Sequence, residues 1–308
     1  MTTRRTFVKN IFFGSALVGL SPAHALASNK ELIKLSILHT NDMHSNIEPF
    51  TSGRNKGLGG MQQLSSMIKK VRSQENNVLL LDAGDVFQGT PYFNLFGGEL
   101  EFKLMSEMGY DAITLGNHDF DNGIDGLVKQ MKHANFSFIS SNYDFTDTAI
   151  EGKVIPHQIF RKDGIKIGVF GVGIELKGLV DASLCQGVKY IDPVSVANSK
   201  AHYLKTKEHC DLVICLSHLG FKYKSDKISD IKLAEQTSNI DLIIGGHTHS
   251  FLNKPVIIKN KNKKDVLISQ VGFGAIKLGK IDFYFHKKNL SVSNTIHNFS
   301  ASSIDVFS

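Results

Sequence analysis

The chain has 308 residues, 42% hydrophobic and 21% charged, which excludes intrinsic disorder and allows one large domain or two small ones. No apolar run reaches the roughly 18 residues that a membrane-spanning helix needs. The formal charge of +6 is partly an effect of the first 27 residues, which hold Arg4, Arg5 and Lys9 and no acid; without them 32 basic residues face 29 acidic ones, so the charge carries no nucleic-acid footprint.

Thr3-Arg4-Arg5-Thr6-Phe7-Val8-Lys9 is followed by a short apolar stretch, Ile11 to Leu20, and then by Ala25-Leu26-Ala27. This order of basic, apolar and small residues is the layout of an export signal, and the arginine pair looks like the twin-arginine type. Residues 1–27 are therefore expected to be a signal peptide, with a mature domain over 28–300 and a bacterial periplasmic or otherwise exported location.

Beyond the leader, Ile33 to Leu38 reads as a strand, Gly59 to Val71 as a helix, Val78 to Leu81 as a strand and Leu95 to Met108 as one helix. Ala112 to Leu115 is a strand, Ile124 to His133 a helix and Phe136 to Ile139 a strand. Val154 to Phe160 and Ile165 to Val172 form a β pair joined through Lys162-Asp163-Gly164. Val194 to Lys207 is a helix. Leu212 to Leu216 and Leu242 to Ile244 are short, wholly apolar strands, and Pro255 to Ile258, Val266 to Val271 and Leu278 to Phe285 are β structure. The polar segment from Ser291, which contains the tail 301–308, is expected to fray. The basic run Lys259 to Lys264 reads as a solvated hairpin tip.

Apolar strands separated by helices imply a sheet buried on both faces. Periodicity supports α/β; the β-rich middle and end suggest a second sheet packed on the first. The expected fold is a four-layer α/β/β/α sandwich of two mixed sheets flanked by helices. The three cysteines, Cys185, Cys210 and Cys215, include no Cys-x-x-Cys pair and do not suggest a disulfide framework, and Cys215 reads as a small buried hydrophobe.

The chemistry-bearing residues follow the strands. After Ile33–Leu38 come Asp42 and His44; after Val78–Leu81, Asp82 and Asp85; after Ala112–Leu115, Asn117, His118, Asp119 and Asp121. After Leu212–Leu216 comes His218, and after Leu242–Ile244 come His247 and His249. Ligand sites of α/β sheets gather at the carboxyl ends of strands. One such motif alone is ordinary turn and capping chemistry, but five strand exits in order deliver nitrogen and oxygen ligands suited to Zn²⁺, Mn²⁺, Fe or Co²⁺. Two ions about 3.5–4 Å apart would need a carboxylate to span them.

Asp42-Met43-His44, Gly84-Asp85, Gly116-Asn117-His118-Asp119, Ser217-His218 and Gly246-His247-Thr248-His249 resemble the five signature blocks of calcineurin-like metallophosphoesterases. The longer strings Leu38–Pro49, Leu80–Pro91, Thr114–Gly123 and Ile243–Ser250 resemble the amino-terminal domain of secreted 5'-nucleotidases and UDP-sugar hydrolases. The resemblance implies two divalent metal ions. Asp42, His44 and His249 would hold the first, Asn117, His218 and His247 the second, and Asp85 would bridge them. His118, paired with Asp121, would stabilise charge on the phosphoryl group or protonate the leaving oxygen. Asp82 and Asp119 would support the site without a catalytic role. Water held between the ions would be acidified and would attack phosphorus in line, with no covalent enzyme intermediate.

The expected activity is cleavage of nucleotide phosphoesters. Close alternatives with the same metal blocks are 2',3'-cyclic nucleotide phosphodiesterase and thiosulfate-ester hydrolase; a non-catalytic subunit is the rival from another class. The family's full-length members carry a carboxyl-terminal nucleotide-binding domain, which this chain, ending at Ser308, is expected to lack. Either a separately encoded domain of that type is a partner, or the lone domain is a looser phosphoesterase. No nucleic-acid polymer is expected as a partner.

Overall fold

The computed structural model describes residues 32–286 and the backbone of 299–305. The expected signal peptide lies outside the described residues. The strands fall into two large sheets. The first runs β15-β14-β1-β2-β3-β4-β6, built from β1 (Leu32–Thr40), β2 (Val78–Asp82), β3 (Ala112–Ile113), β4 (Ser137–Ile139), β6 (Val154–Ile155), β14 (Lys277–His286) and β15 (Phe299–Asp305). The second runs β12-β13-β11-β10-β8-β7, from β7 (His157–Lys162), β8 (Ile165–Gly173), β10 (Leu212–His218), β11 (Leu242–Gly245), β12 (Val256–Lys259) and β13 (Asp265–Ser269). A two-stranded sheet pairs β5 (Tyr143–Asp144) with β9 (Lys189–Tyr190).

The period of two along each strand decides the layers. Leu35, Ile37, Leu79 and Leu81 from the first sheet meet Leu212, Ile214, Leu216 and Ile244 from the second in a core between the sheets. The alternate residues Leu38, Val78 and Leu80 face α1 (Met61–Gln74), α3 (Glu99–Met108) and α4 (Gly123–Met131). On the far side Val213, Cys215 and Ile243 pack with α5 (Pro193–Thr206) and α6 (Asp230–Gln236). The result is the expected four-layer α/β/β/α sandwich. Cys215 is fully buried and unbridged, as read from its apolar context.

Three readings need correction. The helix expected over Leu95 to Met108 is two: α2 (Pro91–Phe96) and α3, separated by Gly97 and Gly98, both left-handed, because Gly97 terminates the first helix with its N–H on the Phe93 carbonyl. Within the segment expected to fray, residues 299–305 add an antiparallel strand to β14, since that edge offers unpaired backbone groups; 287–298 and 306–308 lie outside the described residues. Helix α6, absent from the sequence reading, is short and starts at Ser229, whose side chain accepts from the Lys232 N–H. The basic run does form a hairpin turn, with β12 antiparallel to β13.

Candidate metal centre

Strands β1, β2 and β3 run parallel in one sheet, and β8, β10, β11 and β13 run parallel in the other. Their carboxyl ends therefore open on one edge of each sheet, and the predicted residues lie just past them. Asp42 and His44 follow β1, Asp85 follows β2, and Asn117 follows β3. His218 is the last residue of β10, and His247 and His249 follow β11.

The structure brings these residues into two adjoining groups. The ligand atoms of Asp42, His44 and His249 lie within 4.8 Å of one another, and so do those of Asp85, His218 and His247. His44 Nε2 is 2.9 Å from His249 Nε2, and His249 Nε2 is 3.5 Å from Asp42 Oδ1. His218 Nε2 is 3.0 Å from Asp85 Oδ2 and 4.0 Å from Asp42 Oδ1. Asp85 Oδ2 is also 3.9 Å from His44 Nε2, so this carboxylate lies between the groups. Asn117 Oδ1 is 2.8 Å from His247 Nδ1.

The backbone is strained at the same place. Asp42, His44, Asp85, His247 and His249 all have positive φ, between 48° and 71°. Non-glycine residues hold such angles at a cost of order 1–3 kcal/mol each, only where the surroundings over-determine them. Here they are over-determined. The Asp42 and His44 N–H groups donate to the carbonyls of Gly84 and Asp85, and the His247 N–H donates to the Asp42 carboxylate at 2.9 Å. Buried Asp119 accepts from the N–H groups of Gly116, Asp85 and Val86 at 2.7 to 3.0 Å and so fixes the turn that carries Asp85. Asp82 accepts from Thr40 Oγ1 and from the Gly84 N–H. Gly84 has φ 89°, and a Cβ there would stand 2.4 Å from the Gly116 nitrogen. The two turns can approach this closely only without side chains.

Hydrogen bonds also set the histidine tautomers. His218 Nδ1 donates to the Ala83 carbonyl at 2.7 Å, and His44 Nδ1 donates to the Phe87 carbonyl at 3.3 Å. Each leaves Nε2 with its lone pair toward the carboxylates, as a metal-ligating imidazole requires. His218 Nε2 is buried and has no hydrogen-bond partner despite its closeness to Asp85. A buried polar atom left so is expensive unless something else fills the position. Nitrogen and oxygen donors, one carboxylate between two groups and an orphaned buried imidazole nitrogen together fit a pair of borderline divalent cations.

His118 and Asp121 sit beside this cluster. His118 Nδ1 is 2.7 Å from Asp121 Oδ2, and the His118 N–H donates to Asp85 Oδ1 at 2.8 Å. Partial burial opposes the imidazolium, but the carboxylates of Asp85 and Asp121 outweigh it and hold the His118 pKa above the ordinary histidine value. His39, at the end of the first strand and expected from the sequence either in the core or behind the ligands, is fully buried with Nε2 3.0 Å from Ser269 Oγ. His133, His157, His202, His209, His286 and His297, away from the strand exits, are expected from the sequence to be solvated; His202 and His209 are exposed, whereas His133, His157 and His286 are partly buried, His157 against Tyr203, and His297 lies outside the described residues.

The sequence reading missed the contribution of Gln270 to Gly274, which leave β13 on the same edge. Gln270 is fully buried; its Nε2 donates to the Gly246 carbonyl and its Oε1 accepts from the Ser250 N–H, both at 2.5 Å. It thus brackets His247-Thr248-His249. The available signal was a further parallel strand exit, followed by an aromatic between two glycines.

Residues 35–251 match the calcineurin-like phosphoesterase family. A snake venom 5'-nucleotidase from Gloydius brevicauda is 32% identical over 277 residues, covering 83% of this chain and 46% of the venom protein. A 5'-nucleotidase precursor from Thermus thermophilus superposes with a TM-score of 0.78 at 28% identity, over 89% of this chain and 54% of that one. An NAD nucleotidase from Haemophilus influenzae gives 0.75 at 29% identity, over 89% and 55%. The chain thus spans about half the length of these relatives. With more than half of its residues in that match, the chain belongs to the calcineurin-like phosphoesterase family.

Proposed function

We propose that this protein is an exported hydrolase of nucleotide phosphoesters with two divalent cations, the domain spanning about residues 28–300. The observation that carries the reading is the pair of ligand groups meeting at Asp85. Asp42, His44 and His249 would hold one ion, Asn117, His218 and His247 the other, and Asp85 would serve both. Bound there, the cations would supply the charge that acidifies water and neutralises phosphoryl oxygens.

The protein's own residues do the rest. Asn117 offers an oxygen without charge, so the centre keeps a net positive field toward an anionic ester. His118, oriented by Asp121, would donate a hydrogen bond or a proton to the phosphoryl or leaving oxygen. The turns at Gly84 and Gly116 hold Asp85 so that little reorganisation is needed during reaction. Similarity to 5'-nucleotidases and to an NAD nucleotidase supports a nucleotide as the substrate. Export of the folded chain through a twin-arginine route to a periplasm is part of the same reading, supported by Arg4, Arg5 and the Ala25-Leu26-Ala27 pattern. Among the described residues no helix is long and apolar enough to cross a membrane.

The test pairs metal analysis of the purified chain with hydrolysis of AMP, UDP-glucose, NAD, a 2',3'-cyclic nucleotide and a thiosulfate ester. It is run with and without any co-purifying protein, because a separately encoded nucleotide-binding domain is a partner that this reading accommodates. Two ions per chain and turnover of AMP or UDP-glucose are expected. A chain that holds no divalent metal would overturn the reading, and preference for the cyclic nucleotide or the thiosulfate ester would reassign the substrate. For export, Arg4→Lys with Arg5→Lys should leave the protein in the cytoplasm; unchanged export would remove the twin-arginine route.

A further inference from the structure

The four clustered histidines are not held alike. His44 and His218 each tie Nδ1 to a main-chain carbonyl, and His247 Nδ1 faces Asn117 Oδ1. His249 is the most exposed of them, its side chain 40% accessible, and among the described residues its Nδ1 has no hydrogen-bond partner. Ligand imidazoles ordinarily have the outer nitrogen tied down, which fixes ring orientation. His249 has a different restraint. Its ring stacks on Phe273 with centroids 4.9 Å apart and planes 21° apart.

Phe273 is itself held from both sides. Phe50 and Phe251 meet it edge-on, at 5.7 and 5.9 Å between centroids. It sits between Gly272 and Gly274, both at positive φ, and a Cβ on either would run into the Phe251 or Phe50 ring at 2.1 and 2.6 Å. The glycines let the loop nest between the two rings. The loop is also tied to the other carboxylate-bearing turn of this centre. Gly274 N–H donates to the Asp42 carbonyl at 2.8 Å, and Asn41 Nδ2 donates both to the Gly272 carbonyl and to Asp42 Oδ2 at 2.6 Å. Gly272 N–H donates to the Ser250 carbonyl, one residue beyond His249. One short loop thus fixes Asp42 through the backbone and His249 through a ring.

We propose that Phe273 is a positioning residue for the Asp42–His44–His249 cation site, replacing by ring stacking the hydrogen bond that orients His44 and His218. The inference rests on the two-cation reading. It also makes the two sites unequal. In the Asp85–His218–His247 site His218 is tied by a buried hydrogen bond to the Ala83 carbonyl, whereas His249 in the Asp42–His44–His249 site rests on an aromatic contact at its exposed edge.

The experiment uses the purified chain, stripped by chelator and titrated with Mn²⁺ by calorimetry, for the wild type and Phe273→Leu, Phe273→Ala and Phe273→Tyr. Leucine keeps the apolar volume but loses the stack; tyrosine keeps the stack. The expected result is an affinity about 10-fold weaker at one of two sites for the leucine and alanine variants, an unchanged second site, and recovery in the tyrosine variant. Wild-type affinity at both sites in Phe273→Leu would overturn the positioning role and leave the two-cation reading standing. Equal weakening of both sites with a lowered metal-free melting temperature would reduce Phe273 to packing and also overturn it. A wild type that binds no Mn²⁺, Zn²⁺ or Co²⁺ would remove both readings.

Discussion

The backbone N–H of His118 donates to Asp85 Oδ1 at 2.8 Å, so the residue proposed for proton transfer is anchored by its main chain to the carboxylate proposed to serve both cations. Its ring is anchored separately, by Asp121 at 2.7 Å. The two anchors separate the imidazole's function from the metal centre's integrity. His118→Ala keeps the N–H donor and should lower kcat by about 10²- to 10⁴-fold while the chain retains its full metal content. Elemental analysis and steady-state kinetics on one preparation check this; joint loss of metal would contradict the division of roles.

Asp85 should behave in the opposite way. Its carboxylate lies 3.0 Å from His218 Nε2 and 3.9 Å from His44 Nε2, within reach of both ligand groups. Asp85→Ala is expected to lose metal from both sites, and activity should not return at millimolar Mn²⁺. Retention of two ions would show that another group bridges them.

Gln270 acts on the centre only through the ligand turn that its amide holds. Its amide satisfies the Gly246 carbonyl and the Ser250 N–H on either side of the His247–His249 turn. Gln270→Ala strands both partners in a buried place, which costs about 1–3 kcal/mol. The metal-free melting temperature should fall, and affinity for the second and first cations should weaken together because both His247 and His249 ride on this turn. Gln270→Glu should be as damaging, since a carboxylate cannot donate to the Gly246 carbonyl. A glutamate variant as stable as the wild type would refute the bracket.

On β14, opposite Ser36 of β1, Asp282 carries a pH-dependent part of stability. Its carboxylate takes Lys280 Nζ at 2.6 Å, Lys34 Nζ at 3.0 Å and the Ser36 hydroxyl at 2.7 Å. Burial pushes this carboxyl up, but the hydrogen bonds from Lys280, Ser36 and Lys34 outweigh it, leaving its pKa below the unfolded value of 3.8. A depressed carboxyl stabilises the fold above the unfolded pKa, and the gain is lost as pH falls below about 3.8. Asp282→Asn should therefore cost about 2 kcal/mol at pH 7, allowing for the partial exposure of Lys34. The gap to the wild type should narrow below pH 4. Urea denaturation of the metal-free proteins at pH 7 and pH 3 measures both; a gap independent of pH would assign the loss to packing.

Much of the architecture was legible because it rests on local rules. The apolar segments Ile33 to Leu38 and Val78 to Leu81 read as strands, and the apolar runs of β10 and β11 predict burial on both sides. The break at Gly97 and Gly98 was missed because the apolar pattern continues on both sides of it, so periodicity alone reads one helix. Strand β15 was missed because a polar stretch such as Phe299–Asp305 acquires strand character only from an edge waiting to pair.

Order along the chain, by itself, determined which residues leave which strands: Asp42 and His44, Asp85, Asn117 and His118, His218, His247 and His249. That much follows from turn chemistry and the bias of α/β sites to strand ends. Only the tertiary structure decided that two separate sheets lay their exits against each other, that His249 rests on Phe273, and that Gln270 and Asn41 bind the ligand turns together. The physical reason is range. Strand faces are set by neighbours two residues apart, whereas Asn41 reaches Gly272 across 231 residues of chain, and no periodicity carries that contact until both sheets have packed.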